Sequence, residues 1–214
     1  MSTESIVGII VSSITAFAAI LALIISIVQI SKSNKQSLFD RRLNIYLNVK
    51  RMKSLCDEHV QIKDNYIEES ERGPIHAIDY FFGWMTNCTF LEEIQPSISH
   101  VLEGEYHRKY LLKIEELRNM IEEACLVFPN GVGNHLADFV YYYQEMLVSI
   151  YKYQIAIDRI SKECKDVQKT FPSDNQLEIS CRQAMVKNIK NTFELSDRLF
   201  QQGIFQKAKE SIKY

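Results

Sequence analysis

The apolar positions of this chain fall into two regimes. From Ile6 to Ile30 nearly every residue is apolar or small, and no charged residue occurs between Ser5 and Ser31. Beyond Lys32 the apolar residues thin out and recur at steps of three and four, the helical period. The first run is 25 residues long. At the rise of an α-helix that is about 37 Å, enough to cross a hydrocarbon core of about 30 Å with some tilt. A cleaved signal peptide would want a basic N-terminal region, a shorter apolar run and a small-residue cleavage site. The chain opens on MSTES, without Lys or Arg, so residues 1–31 are expected to be a transmembrane helix.

Four prolines punctuate the rest: Arg72-Gly73-Pro74, Gln95-Pro96-Ser97, Phe128-Pro129-Asn130-Gly131 and Phe171-Pro172-Ser173-Asp174. The membrane helix is expected to run on through Leu38, Ile45, Val49 and Met52 as a basic juxtamembrane stalk over 32–72. In 75–94 two apolar stripes (Ile75, Ile78, Phe82, Met85 and Ala77, Phe81, Trp84, Cys88, Leu91) predict a helix buried on both sides. The next helix carries Ile98, Leu102, Tyr106, Tyr110, Ile114, Leu117, Ile121 and Phe128. The longest stripe is Leu136, Val140, Tyr143, Leu147, Ile150, Tyr153, Ile157, Ile160, Cys164, Val167 and Phe171. After a turn at Pro172, with Ser173 or Asp174 as N-cap, the chain returns through Leu177, Cys181, Met185, Ile189, Phe193 and Leu199. The expected fold is all-α: a transmembrane helix, its stalk, and a helical bundle over 73–214 built on an antiparallel hairpin (133–171 against 174–213). Seven glycines and four prolines are too few for an all-β or disordered chain of this length.

Within the membrane run, Ser5, Gly8, Ser12, Thr15, Ala19, Ala22, Ser26, Gln29 and Ser33 recur at alternating steps of three and four, and every one is small or polar. Lipid gives helices no hydrophobic reason to associate, so close backbone approach and interhelical hydrogen bonds must supply it. The seam therefore reads as a packing face of a homo-oligomer or the lining of a narrow pore. The abundance of small residues in membrane helices is the plain alternative. Gln29 is costly facing lipid and should face protein or water.

Charge orients the span. No basic residue precedes it, while Lys32, Lys35, Arg41, Arg42, Lys50, Arg51 and Lys53 follow, opposed by Asp40 alone in residues 32–56. The positive-inside rule puts the C-terminal domain in the cytoplasm and the N-terminus outside the inner membrane. Five unpatterned cysteines, with no C-x-x-C pair, suit a reducing compartment and exclude a disulfide framework or zinc site. Residues 32–56 carry a net charge of +6, residues 57–126 a net of −9 and residues 127–214 a net of +2, which with Glu4 makes −2 overall. Arg41, Arg42, Lys50, Arg51 and Lys53 are candidate contacts for anionic lipid or, gathered in an oligomer, for an anionic ligand.

No catalytic residue, metal ligand or cofactor is expected. His100, Glu103 and His107 have helical spacing but no second Glu-x-x-His set to complete a metal site. Asn130-Gly131-Val132-Gly133-Asn134 lacks the Lys-Ser/Thr of a phosphate loop and reads as a helix–helix linker. Tyr141, Tyr142, Tyr143, Tyr151 and Tyr153, with Lys152 among them, have the residue types of a base-stacking surface, but on an apolar stripe they suit core packing.

The stretch Gln36-Ser37-Leu38-Phe39-Asp40-Arg41-Arg42-Leu43-Asn44-Ile45-Tyr46, directly after a single span, resembles the juxtamembrane element of small bacterial membrane effectors of antiphage defence. The arrangement is similar to the channel-type effector of the Hailong system, by motif over residues 1–50 and by architecture beyond. That resemblance implies an oligomeric channel whose cytoplasmic domain senses a single-stranded oligodeoxyadenylate through a basic site. The sequence thus leads to an oligomeric membrane effector responding to an anionic nucleotide or oligonucleotide signal. The alternative is a membrane-tethered module that recruits a cytosolic partner protein. An enzyme built on His100, Glu103 and His107 is a third reading.

Overall fold

A computed structural model describes residues 3–75, 77–166 and 175–212; for 3–13, 165 and 166 it describes the backbone alone. All described secondary structure is helical: α1 (Thr3–Glu58), α2 (Val60–Arg72), α3 (Ile78–Met85), a 3-10 helix (Glu92–Ile98), α4 (Gly104–Val127), α5 (Val132–Asp166), α6 (Gln176–Gln201) and α7 (Ile204–Ile212). The fold is all-α, as the apolar period predicts. The chain divides into two compact units, Met1–Arg41 and Arg42–Tyr214. In the first, α1 is exposed at every described position from Ile14 to Asp40. Its apolar run is long enough to cross a membrane.

The second unit is a bundle centred on α5. Leu136, Phe139, Val140, Tyr143, Met146, Leu147, Ile150, Tyr153 and Ile157 are all buried, and they extend the predicted stripe around much of the helix. α4 packs on one side of α5 and α6 on the other. The α4–α5 turn places Asn130 and Gly131 in the left-handed region (φ 57° and 75°), where Asn and Gly pay least. At Gly133 α5 lies so close to α4 that a Cβ would overlap the Ala124 carbonyl oxygen.

Several expectations need correction. The stalk of 32–72 is not separate from the bundle. From Arg42 onward α1 belongs to the compact unit, and Ile45, Val49, Met52, Leu55 and Cys56 are core residues. The helix is also broken at His59 (φ −113°, ψ 21°), whose Nδ1 lies 2.8 Å from the Leu55 carbonyl.

The buried helix of 75–94 stops at Thr86, whose hydroxyl donates back to the Phe82 carbonyl at 2.8 Å. This is the backbone competition that disfavours threonine inside helices. Ile75, Ile78, Phe82, Met85, Phe81 and Leu91 are buried as predicted, but Leu91 gets there through a turn, and Ala77, Trp84 and Cys88 are only partly covered.

The following helix starts at Gly104, not Ile98. Leu102 adopts a left-handed conformation (φ 62°) and donates its N–H to the Tyr151 hydroxyl at 3.0 Å. At the hairpin, Ser173 and Asp174 lie outside the described residues. The N-cap is Asn175, whose Oδ1 accepts from Leu177 N (3.0 Å) and Glu178 N (3.3 Å). The hairpin's second arm is itself interrupted at Gly203 (φ 62°), which separates α6 from α7.

Candidate functional site

Along α1, Thr15, Ala19, Ala22, Ser26, Gln29 and Ser33 are exposed, together with the aliphatic residues around them. The side chains of Ser5, Gly8 and Ser12 lie outside the described residues. The polar members differ in how they are satisfied. Ser26 Oγ donates to the Ala22 carbonyl at 2.9 Å, so its hydroxyl is paired within its own helix. Gln29 has no side-chain hydrogen bond among the described residues and is exposed.

The five bases proposed for anionic contact are not equivalent. Arg42 donates from Nε to the Val127 carbonyl (2.6 Å) and from Nη1 to the Ser211 carbonyl (2.7 Å). It thereby caps the C-terminal ends of α4 and α7, where a cation also meets the negative helix pole. Lys53 donates to Asp57 at 2.7 Å and stands over the Phe200 ring, 5.5 Å from its centroid. Lys50 and Arg51 are exposed, as is Arg41 at the end of the other unit. Arg42 and Lys53 therefore do structural work inside the bundle.

A polar network that the periodicity did not reveal lies between α2, α5 and α6. The Tyr153 hydroxyl accepts the Ile75 N–H at 2.7 Å and donates to Glu178 Oε1 at 3.0 Å. Glu178 is 1% exposed. Its Oε1 is 3.0 Å from Arg182 Nε, and Arg182 donates through Nη1 to the Ser70 carbonyl at the end of α2. Glu178 Oε2 has no hydrogen-bond partner among the described residues. Burial pushes the Tyr153 hydroxyl pKa up, which keeps it protonated and a donor.

A signal for this network was legible. Met185, Ile189, Thr192, Ser196 and Leu199 are buried at steps of four and three. The same register carried backward lands on Arg182 and Glu178, one residue beyond the predicted Cys181 and Leu177. Leu177 is in fact exposed.

Next to this network, α2 and α6 enclose a cleft of about 570 Å³ lined by Ser70, Glu71, Arg182, Gln183, Lys187 and Lys190, among others. Arg182 is held in place by its two partners, while Lys187 and Lys190 are exposed on the same helix. Three basic groups, Arg182, Lys187 and Lys190, and two carboxylates, Glu71 and Glu194, line the same space, and Arg182 is already paired with Glu178.

The remaining candidates are structural. Tyr143 and Tyr153 are completely buried and Tyr151 nearly so. Tyr143 donates to the Met85 carbonyl. Tyr151 stacks on Tyr110 with centroids 4.0 Å apart. They are packing residues, not a base-stacking platform.

His100 and Glu103 precede α4, with Nδ1 3.0 Å from Oε2, and His100 stacks on Tyr106. His107, on α4, instead meets the Tyr151 hydroxyl at 3.0 Å. The three do not share the helix face predicted for them, and no group of metal-ligand residues occurs among the described residues.

Lys113 is buried between Glu93 and Glu116 over the Phe90 ring. Burial works against its charge, but hydrogen bonds to Glu116 and Glu93 leave its pKa raised. No disulfide joins the five cysteines, which range from buried Cys56 to exposed Cys125.

No family model, curated protein or solved structure matches the chain.

Proposed function

We propose that this chain is an oligomeric membrane effector. Its N-terminal helices associate through the seam of small and polar residues, and its bundle, on the cytoplasmic side, senses an anionic ligand and controls membrane permeability. No catalytic step is involved. A bacterial antiphage role, with a nucleotide or oligonucleotide as signal, is the setting that the resemblance of residues 36–46 suggests.

The observation that carries this reading is Gln29. An amide in an apolar helix, with no partner in its own chain among the described residues, finds one when copies of the same helix meet. Sensing is assigned to the cleft between α2 and α6, where Lys187 and Lys190 are exposed. The second reading is a tethered module that recruits a cytosolic protein.

Cross-linking and planar-bilayer conductance test the proposal together. Ala19→Leu adds bulk on the seam and should abolish the higher assembly. Ala18→Leu makes the same change about 100° around the helix and should not. Gln29→Leu should alter ion flux if the amides line a pore and abolish assembly if they bond the helices. Equal behaviour of Ala18→Leu and Ala19→Leu would leave only the tethered module. Orientation is tested by a reporter fused after Tyr214, whose activity is expected in the cytoplasm.

A further inference from the structure

Tyr80 and Trp84 lie one helical turn apart on α3, so both rings project from one face. The turn after Thr86 brings the 3-10 helix back alongside that face. Between the two lies a groove of about 360 Å³ lined by Asp79, Tyr80, Gly83, Trp84, Gln95 and Ser99, with Pro96 and Ile98 as its apolar part. Gly83 leaves the floor without a side chain, and a Cβ there would lie 3.1 Å from Gln95 Nε2. The Tyr80 and Trp84 centroids are 6.4 Å apart with the rings at 39°, and Tyr80 is 64% exposed. His59 stacks on the indole at 5.8 Å.

Polar groups without a protein partner collect here. Among the described residues, no side-chain hydrogen bond engages the Asp79 carboxylate, the Tyr80 hydroxyl, the Trp84 indole N–H, the Gln95 amide or the Ser99 hydroxyl. Asp79 is the one charged residue of the lining, and the stretch around it is acidic. Residues 57–126, which contain the whole groove, carry a net charge of −9. The neighbouring Tyr66 hydroxyl has its pKa pushed up to about 12 by burial and by the negative charges of Glu69 and Asp79. Two aromatic faces beside an unpaired carboxylate form a receptor for a cation. The flanking amide and hydroxyl supply the donors and acceptors that a peptide backbone needs.

From this juxtaposition we infer that the groove between α3 and the 3-10 helix docks an arginine- or lysine-bearing segment of a protein partner. The basic side chain lies against Tyr80 and Trp84 and pairs with Asp79. This goes beyond the effector reading and concerns the bundle alone, so it stands or falls whether or not the spans assemble.

Trp84 is the only tryptophan in the chain, so intrinsic fluorescence reports on this groove. The full chain in detergent micelles is titrated with a short capped peptide bearing two central arginines. The same peptide with two glutamates, and free arginine, serve as comparisons. A saturable emission change with the arginine peptide alone is expected, weakened about tenfold by Asp79→Asn and by Tyr80→Ala and retained in Tyr80→Phe. Tyr80 is largely exposed and Asp79 partly so, and far-ultraviolet circular dichroism verifies that each variant folds. The proposal is overturned by an equal response to the glutamate peptide, by binding indifferent to Asp79→Asn, or by no saturable change. Free arginine binding as tightly as the peptide would also overturn it, reducing the groove to a site for small cations.

Discussion

Tyr153→Phe isolates the buried network, because it removes one oxygen and leaves the ring in place. Two hydrogen bonds go with that oxygen. The Ile75 N–H, on a residue with no exposed surface, loses its acceptor at 2.7 Å. An unsatisfied buried donor costs about 1–3 kcal/mol. Glu178 loses the donor to its Oε1 at 3.0 Å, and hydrogen bonds to charged groups contribute about 1.5–3 kcal/mol. The two losses share one oxygen and are partly relieved by relaxation, so about 3 kcal/mol in total is expected. That is a large share of the ~5–15 kcal/mol that holds a domain together. For a domain of this size it lowers the melting midpoint by about 6–12 °C.

Trp84 fluorescence of the full chain in detergent follows the melting of the bundle without interference from the membrane helix. Hydrogen–deuterium exchange at the Ile75 amide reports the same event locally and should accelerate. Tyr141→Phe, on an exposed tyrosine of the same helix, should melt within about 1 °C of the parent. A Tyr153→Phe protein that melts as late as Tyr141→Phe, with Ile75 still protected, would refute the network's role.

Three further outcomes follow from other parts of the fold. Gly133→Ala places a Cβ against the Ala124 carbonyl and 3.0 Å from Cys125 Cα; the overlap should outweigh the ~1 kcal/mol gained in helix propensity and lower the melting midpoint, and a rise in midpoint would show that α4 yields freely. Asn175→Ala removes the acceptor of Leu177 N and Glu178 N and should cost about 1 kcal/mol in chemical denaturation, with an unchanged midpoint arguing that α6 is capped otherwise. Maleimide at neutral pH should label exposed Cys125 well before Cys56, whose thiol is enclosed and whose pKa is raised by burial; rapid labelling of Cys56 in folded protein would contradict its place in the core.

What the sequence determined by itself was everything governed by period and composition. The apolar run at 6–30, the all-helical character and the stripe from Leu136 to Ile160 are local properties, since a helix's own geometry decides which side chains share a face. The tertiary structure decided where helices stop and what their polar groups bond to. The N–H of Leu102 is satisfied by Tyr151, 49 residues away, and that partner is part of what lets the chain delay α4 to Gly104. Arg42 looked like one more membrane-proximal base until the carbonyl of Ser211, 169 residues on, appeared beside it. Glu178 and Arg182 find their partners, Tyr153 and the Ser70 carbonyl at the end of α2, 25 and 112 residues away. In each case a buried backbone or charged group must find a partner, and that partner sits at a sequence distance that local periodicity does not encode.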